Sequence, residues 1–167
     1  MLNTKKSQAW GMDVLIAITI FSAIIFVFFI YATNQSGEGK QILESLQSQG
    51  KTITNIILSE GYPQDWTEDN VIKIGILSDN IINTTKLEKF YNLTLTEYNK
   101  TKILFNTHYD YFLFFNENIT INSIEIEGIG KPETTKTNIN AKNIIKTTRY
   151  VIYKDKPVTI YIYIWEK

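Results

Sequence analysis

Nineteen consecutive residues, Val14 to Ala32, carry no charge and are relieved only by Thr19 and Ser22. As a helix rising about 1.5 Å per residue, that run spans roughly 28 Å, close to the ~30 Å hydrocarbon core of a bilayer. It exceeds the roughly 7–15 apolar residues of an ordinary secretion signal, and no A-x-A cleavage site follows it. A soluble domain rarely hides a helix that is apolar all round. The run therefore reads as a membrane segment, either a plain anchor or a helix that assembles with copies of itself. Lys5 and Lys6 precede it, whereas polar residues of mixed charge follow it. The positive-inside rule then keeps the N-terminus cytoplasmic and sends everything after Asn34 outside. Trp10 and Tyr31 bracket the span, where interfacial aromatics belong.

In a chain of 167 residues this leaves room for one small domain. Seventeen basic and seventeen acidic residues cancel, so no charge excess points to nucleic acid. Cysteine is absent, which removes disulfides, thiol nucleophiles and thiolate metal sites.

Asp13 stands at the very edge of the apolar run, where a carboxylate costs less than at mid-membrane but is still unusual. Read by itself it is an interfacial acid that also suits a helix N-terminus. Together with its neighbours, the stretch KKSQAWGMDVLIAITIF resembles the class III (prepilin-type) signal of archaeal type IV pilin-like proteins. The family pattern is basic residues, a small residue, Gln, an acid a few positions on, and a long apolar helix. The resemblance implies that a membrane-embedded prepilin-type peptidase cuts between Ser7 and Gln8, with Lys5 and Lys6 in the removed leader. It implies further that the apolar helix stays with the mature protein and packs beside other pilin-like subunits. Asp13 would there offset a neighbour's N-terminal ammonium. Ser7 stands where Gly or Ala is commoner in the family. With Gln8 counted first, Asp13 is sixth where the usual acid is fifth.

Beyond the membrane segment, Ile42, Leu43, Leu46, Ile53, Ile56 and Ile57 follow a broken three-to-four spacing that predicts an amphipathic helix, ended by Gly61 and Pro63. One long helix is expected, with a flexible point near Gly37 to Gly39. In SEGYPQDWTEDN, Tyr62, Pro63 and Trp66 crowd among Asp65, Glu68 and Asp69. That reads as a rigid turn whose aromatics cap the core, because the acids lack the D-x-D-x-D-G spacing of a calcium loop. The alternative is a cation or glycan site. The wider phrase LSEGYPQDW, IGILSDN and KLEKFYNL is also similar to an ectodomain pattern of these archaeal anchored proteins, which implies a shared fold.

NVIKIGIL predicts a short strand. Thr84 or Thr85 is expected to cap KLEKFYN, and LTEYNKTKILFN has the spacing of a further short helix with Leu95, Tyr98, Lys102 and Phe105 on one side. The period then changes to two in HYDYFLFFN, ITINSIEIEGI, AKNIIKTTRYVIYK and PVTIYIYIWEK, with YKDKPV as a hairpin connection. The expected fold is α+β and pilin-like: a long N-terminal transmembrane and assembly helix packed on a small antiparallel sheet of four or five strands. The expected divisions are a basic leader (1–7), the transmembrane helix (8–33), its extracytoplasmic continuation (34–60) and an α+β ectodomain (61–167).

Along the last strand Val158, Ile160, Ile162 and Ile164 share one face, and Thr159, Tyr161, Tyr163 and Trp165 the other. The second face suits a subunit interface or a sugar platform, with Tyr161, Tyr163 and Trp165 as candidates. Packing of these aromatics under loops of the same domain is the other option.

His108 is the only histidine, and with no cysteine it makes a poor metal site. No G-x-S-x-G, H-E-x-x-H or P-loop pattern occurs, so no enzymatic role, cofactor or metal is expected. The N-x-[ST] pattern marks Asn34, Asn83, Asn92, Asn99 and Asn118 as candidate glycosylation sites on the outer side. The expected function is a pilin-like structural subunit held in the cytoplasmic membrane and assembled into an extracellular filament. The alternative is a non-polymerising, single-pass surface protein whose ectodomain binds a partner or glycan.

Overall fold

The structure, a computed structural model, describes residues 4–121 and 123–166, with the side chains of residues 4–10 and 34–38 outside that description. Helix α1 covers Thr4–Ile57 and holds Gly11–Thr33, 23 residues of mean hydropathy 2.8, long and apolar enough to cross a membrane. The chain divides into two compact units, 1–41 and 42–167.

In the second unit, strands β1 (Leu77–Ser78) and β2 (Ile81–Ile82) precede helix α2 (Thr84–Leu104). Strands β3 (Asp110–Ile121), β4 (Ile124–Gly130), β5 (Ile144–Tyr153) and β6 (Lys156–Trp165) complete it. They form one sheet in the order β1-β2-β5-β6-β3-β4. The four long strands are antiparallel, as their period-two pattern predicts. The sheet as a whole is mixed, because β2 meets β5 in parallel at Ile81 and Ile152. The β1–β2 hairpin supplies its own reversal, so only one of its strands needs to touch β5, and Ile82 drops into the core. Strands of two residues carry no readable period, which is why NVIKIGIL yields a strand only at its last residue. Asp79 and Asn80 join β1 to β2 with φ of 51° and 63°; Lys154 and Asp155 join β5 to β6 with φ of 50° and 62°. Both two-residue loops thus have the left-handed pair of a type I′ turn, whose twist matches the strands. ITINSIEIEGI, expected as one strand, is divided between β3 and β4 by a turn with Ser123 at φ 65°.

The cap of helix α2 falls ahead of both expected threonines. Asn83 is its N-cap, accepting a hydrogen bond from Lys86 N at 3.1 Å and so satisfying an otherwise orphan donor. The two predicted helical stretches are merged, with non-helical angles at Glu97 (φ −138°, ψ 53°). That kink breaks the 3.6-residue register, so Leu95 is exposed while Leu87, Phe90, Leu93 and Thr101 are buried.

The core lies between the sheet and the helices. Leu46, Ile53 and Ile57 of α1 join Ile160, Ile162 and Ile164 of β6 and Tyr111, Leu113 and Phe115 of β3. Close approach of α1 to the sheet falls at Gly50, where an added Cβ would stand 3.0 Å from Thr147 Oγ1 and 3.4 Å from Ile164 Cδ1.

Candidate interaction surface

Strand alternation gives the sheet a second face, away from the core. On β3 it carries Phe112 and Phe114, and on β6 Tyr161, Tyr163 and Trp165. Phe114 sits 5.2 Å from Tyr161 and 4.9 Å from Tyr163, ring centre to ring centre. Three lysines cap these rings: Lys146 at 4.0 Å from the Tyr161 centroid, Lys136 at 5.6 Å from Phe114 and Lys131 at 5.8 Å from Trp165. Each placement suits attraction between an ammonium and the negative face of a ring.

The chain covers only half of this face. Ile139 and Ala141, in the connection from β4 to β5, pack against Phe112, Phe114 and Trp165. Trp165 is 4% exposed, so of the three residues expected at an interface it is the one already buried within its own domain. Tyr161 and Tyr163 remain half-buried. Beside them, on the β5 positions that pair with the outer residues of β6, Ile144, Lys146, Thr148, Tyr150 and Ile152 are all exposed, Tyr150 to 82%. A solvated sheet face ordinarily alternates to polar residues. Here it shows tyrosine and isoleucine around a lysine.

A second cluster, which sequence reasoning did not single out, is the polar network at the start of β3. Asp110, 4% exposed, accepts from Lys131 Nζ at 2.7 Å, Lys102 Nζ at 3.0 Å and Tyr98 Oη at 3.2 Å. Tyr98 Oη accepts in turn from Tyr111 N at 3.1 Å, and Tyr111 Oη is bonded to Thr101 Oγ1. Burial opposes ionisation of Asp110, but hydrogen bonds from Lys131 and Lys102 outweigh it and hold the carboxyl below its ordinary value. Burial, aided by the Asp110 charge, pushes the Tyr98 phenol well above its ordinary value despite the bond from Tyr111 N, so it stays a donor. The network welds the kinked end of α2 to β3 and leaves Asp110 ringed by donors. The one available signal was an acid opening an apolar strand.

The SEGYPQDW loop is tied down by lysines of α2. Lys86 Nζ donates to Glu60 O and Leu77 O at 2.8 and 2.9 Å, Lys89 Nζ to Trp66 O at 2.9 Å, and Lys100 Nζ to Glu68 O at 2.7 Å. Trp66 is fully buried and its Nε1 donates to Gly75 O at 2.9 Å, so it caps the core as the turn reading expected, whereas Tyr62 of the same loop is exposed. Asp65 and Asp69 face solvent. Among the described residues no group of three or more His, Cys, Asp or Glu is placed to hold a metal ion.

The remaining candidates are dispersed. Asp13 is exposed at the start of the apolar run. The side chains of Lys5, Lys6, Ser7, Gln8, Trp10 and Asn34 lie outside the described residues. Asn83 uses its amide on Lys86 N and Ser78 Oγ, and Asn92 is half-buried on α2. Asn99 on α2 and Asn118 on β3 are exposed. His108 is exposed, its ring centre 4.0 Å from that of Tyr109.

Comparison of the chain with protein-family models, with curated proteins and with solved structures returned no match.

Proposed function

We propose that the chain is a membrane-anchored, pilin-like structural subunit, cut between Ser7 and Gln8 and assembled through its apolar helix, with the ectodomain outside the cell. The observation that carries this reading is the make-up of α1. Its Gly11–Thr33 stretch presents only exposed side chains of mean hydropathy 2.8, while Leu46, Ile53 and Ile57 of the same helix are core residues of a folded domain. A single helix with an unburied apolar half and a domain-bound half suits a subunit whose anchor is retained. Mass spectrometry of the protein recovered from its own cells tests the reading: a mature chain beginning at Gln8 is expected, and an intact Met1 would sink it.

Asp13, one position beyond the family's usual acid, takes the role of meeting a neighbour's new N-terminal ammonium in this reading. Asp13→Ala is expected to leave membrane insertion intact and to lower incorporation into filaments about tenfold, the factor that ~1.4 kcal/mol of lost pairing gives. Undiminished incorporation, measured by quantifying the subunit in sheared filaments, would take Asp13 out of the mechanism.

A second reading, a surface protein that never polymerises and binds a partner, draws on the half-covered outer face with Tyr150, Tyr161 and Lys146. Anchored protein that keeps its leader and stays monomeric in the membrane would favour it.

A further inference from the structure

The sheet ends in two open edges. Among the described residues strand β4 pairs only with β3, and beside it lies a groove of about 310 Å³ walled by Tyr91, Thr94 and Leu95 of α2 and by Pro132 to Thr135 of the connection to β5. Strand β5 is full-length on its β6 side, but β2 meets its other side only at Ile152, which leaves Ile144 to Thr148 without a strand neighbour. The inner-face residues of β5, Ile145, Thr147, Arg149 and Val151, are only half-buried, whereas Ile160, Ile162 and Ile164 beside them on β6 are buried. The helices bury the inner face of β6 fully and that of β5 only in part, with α1 approaching Thr147 at Gly50, and among the described residues the backbone edge of β5 over Ile144 to Thr148 carries no further strand. Unpaired backbone donors and acceptors on such edges are templates for a further strand.

The edges are oppositely charged. Exposed Glu125 and Glu127 lie on β4; exposed Lys146 and half-buried Arg149 lie on β5. Pairing β5 with another β5 brings only basic side chains to the seam, Lys146 on the outer face and Arg149 on the inner, and pairing β4 with another β4 brings only carboxylates, so neither offers an attractive charge pair. Only β4 against β5 brings opposite charges together. Direction agrees with charge. Each of the steps β5–β6, β6–β3 and β3–β4 is antiparallel, so β5 and β4 run in opposite senses. Two copies standing side by side in one orientation thus present β4 and β5 as an antiparallel pair.

We infer that the β4 edge of one copy pairs with the β5 edge of the next, continuing the sheet from subunit to subunit. The register that opposes Glu125 to Lys146 on the outer face also opposes Ile126 to Ile145 on the inner face. Residues Ile124–Gly128 then lie against 143–147, clear of the place where β2 sits at Ile152. The contact joins unlike surfaces, so it repeats without closing on itself. It deepens the assembly reading and rests on it only for the shared orientation of neighbouring copies.

The chain has no cysteine of its own, which makes engineered thiols clean reporters. A full-length Glu125→Cys, Lys146→Cys double variant, mildly oxidised in the membranes of cells that make it, is expected to give a ladder of disulfide-linked dimers, trimers and higher species. Within one copy the two positions sit on opposite sheet edges, beyond the roughly 7 Å Cα reach of a disulfide, so no internal bridge competes. Each single-cysteine variant is expected to give no ladder. Absence of a ladder from the double variant, or equal dimer yields from Lys146→Cys alone, overturns the inference. As a second measurement, Lys146→Glu is expected to reduce the size of gently solubilised assemblies and added Glu125→Lys to restore it; no restoration counts against the register. The N-terminal mass of the same preparations reports processing separately. A ladder from unprocessed chains defeats the pilin reading alone, and processed chains without a ladder defeat the edge pairing alone.

Discussion

Asp110→Ala is expected to lower the stability of the folded domain by about 3 kcal/mol, at the lower end of the range for removing one partner of a buried ion pair. The carboxylate is the common acceptor for Lys102, Lys131 and Tyr98. Its loss strands the Lys102 ammonium, whose side chain is 19% exposed, and leaves the Tyr98 hydroxyl without its acceptor. Lys131, at 36%, swings into water, which keeps the cost from the upper end of the range. Denaturant unfolding of the solubilised full chain measures the effect, and a loss under about 1 kcal/mol would show the network to be dispensable. The acid limb gives an independent sign. The folded carboxyl is held below its ordinary value of 3.8. Its stabilising contribution is therefore complete above that value and lost as pH falls through the lower, folded one. Wild-type stability is expected to fall below about pH 4 more steeply than that of Asp110→Ala, and parallel acid limbs would contradict the assignment.

Trp66→Ala is expected to cost about 3–5 kcal/mol, the range for removing a large buried aromatic. The indole is fully buried, and Gly61 (φ 79°) faces it so closely that an added Cβ would fall 2.7 Å from the ring. Its Nε1 also satisfies Gly75 O, which packs where a Cβ would meet the Ser59–Gly61 backbone. Trp66→Phe retains most of the apolar surface but leaves Gly75 O unpaired, and about 1–3 kcal/mol is expected there. The ordering of the two variants is the informative result. Equal losses would mean that the hydrogen bond, not the ring volume, holds the loop. Protease cutting between Gly61 and Gly75 is expected to rise in both, because the lysine bonds from α2 hold the loop only while it is seated.

Sequence reading went furthest where a side-chain period is local. The apolar run, the Leu46, Ile53 and Ile57 stripe and the alternation of β5 and β6 needed only neighbours along the chain to be recognised, whereas the division between β3 and β4 was misplaced. The Lys154–Asp155 turn was legible for the same reason. The candidate surface was half legible: alternation put Tyr161, Tyr163 and Trp165 on one face, but nothing local told which of them a distant loop would cover. Position-by-position spacing failed in α2, because the kink at Glu97 shifts the register that any helical wheel assumes.

What the sequence determined by itself is the α+β class, the long helices and the strand-rich C-terminal half, and the presence of a span long enough for a bilayer. Those follow from steric and hydrophobic rules acting over a few residues. Tertiary structure decided which polar groups meet and which surfaces stay open. Asp110 finds partners 8 and 21 residues away, Ile139 roofs half of the outer face, and the two free edges acquire opposite charge only through the strand order β5-β6-β3-β4. Such pairings leave no period in the chain, since their energy depends on distance in space between residues far apart in sequence.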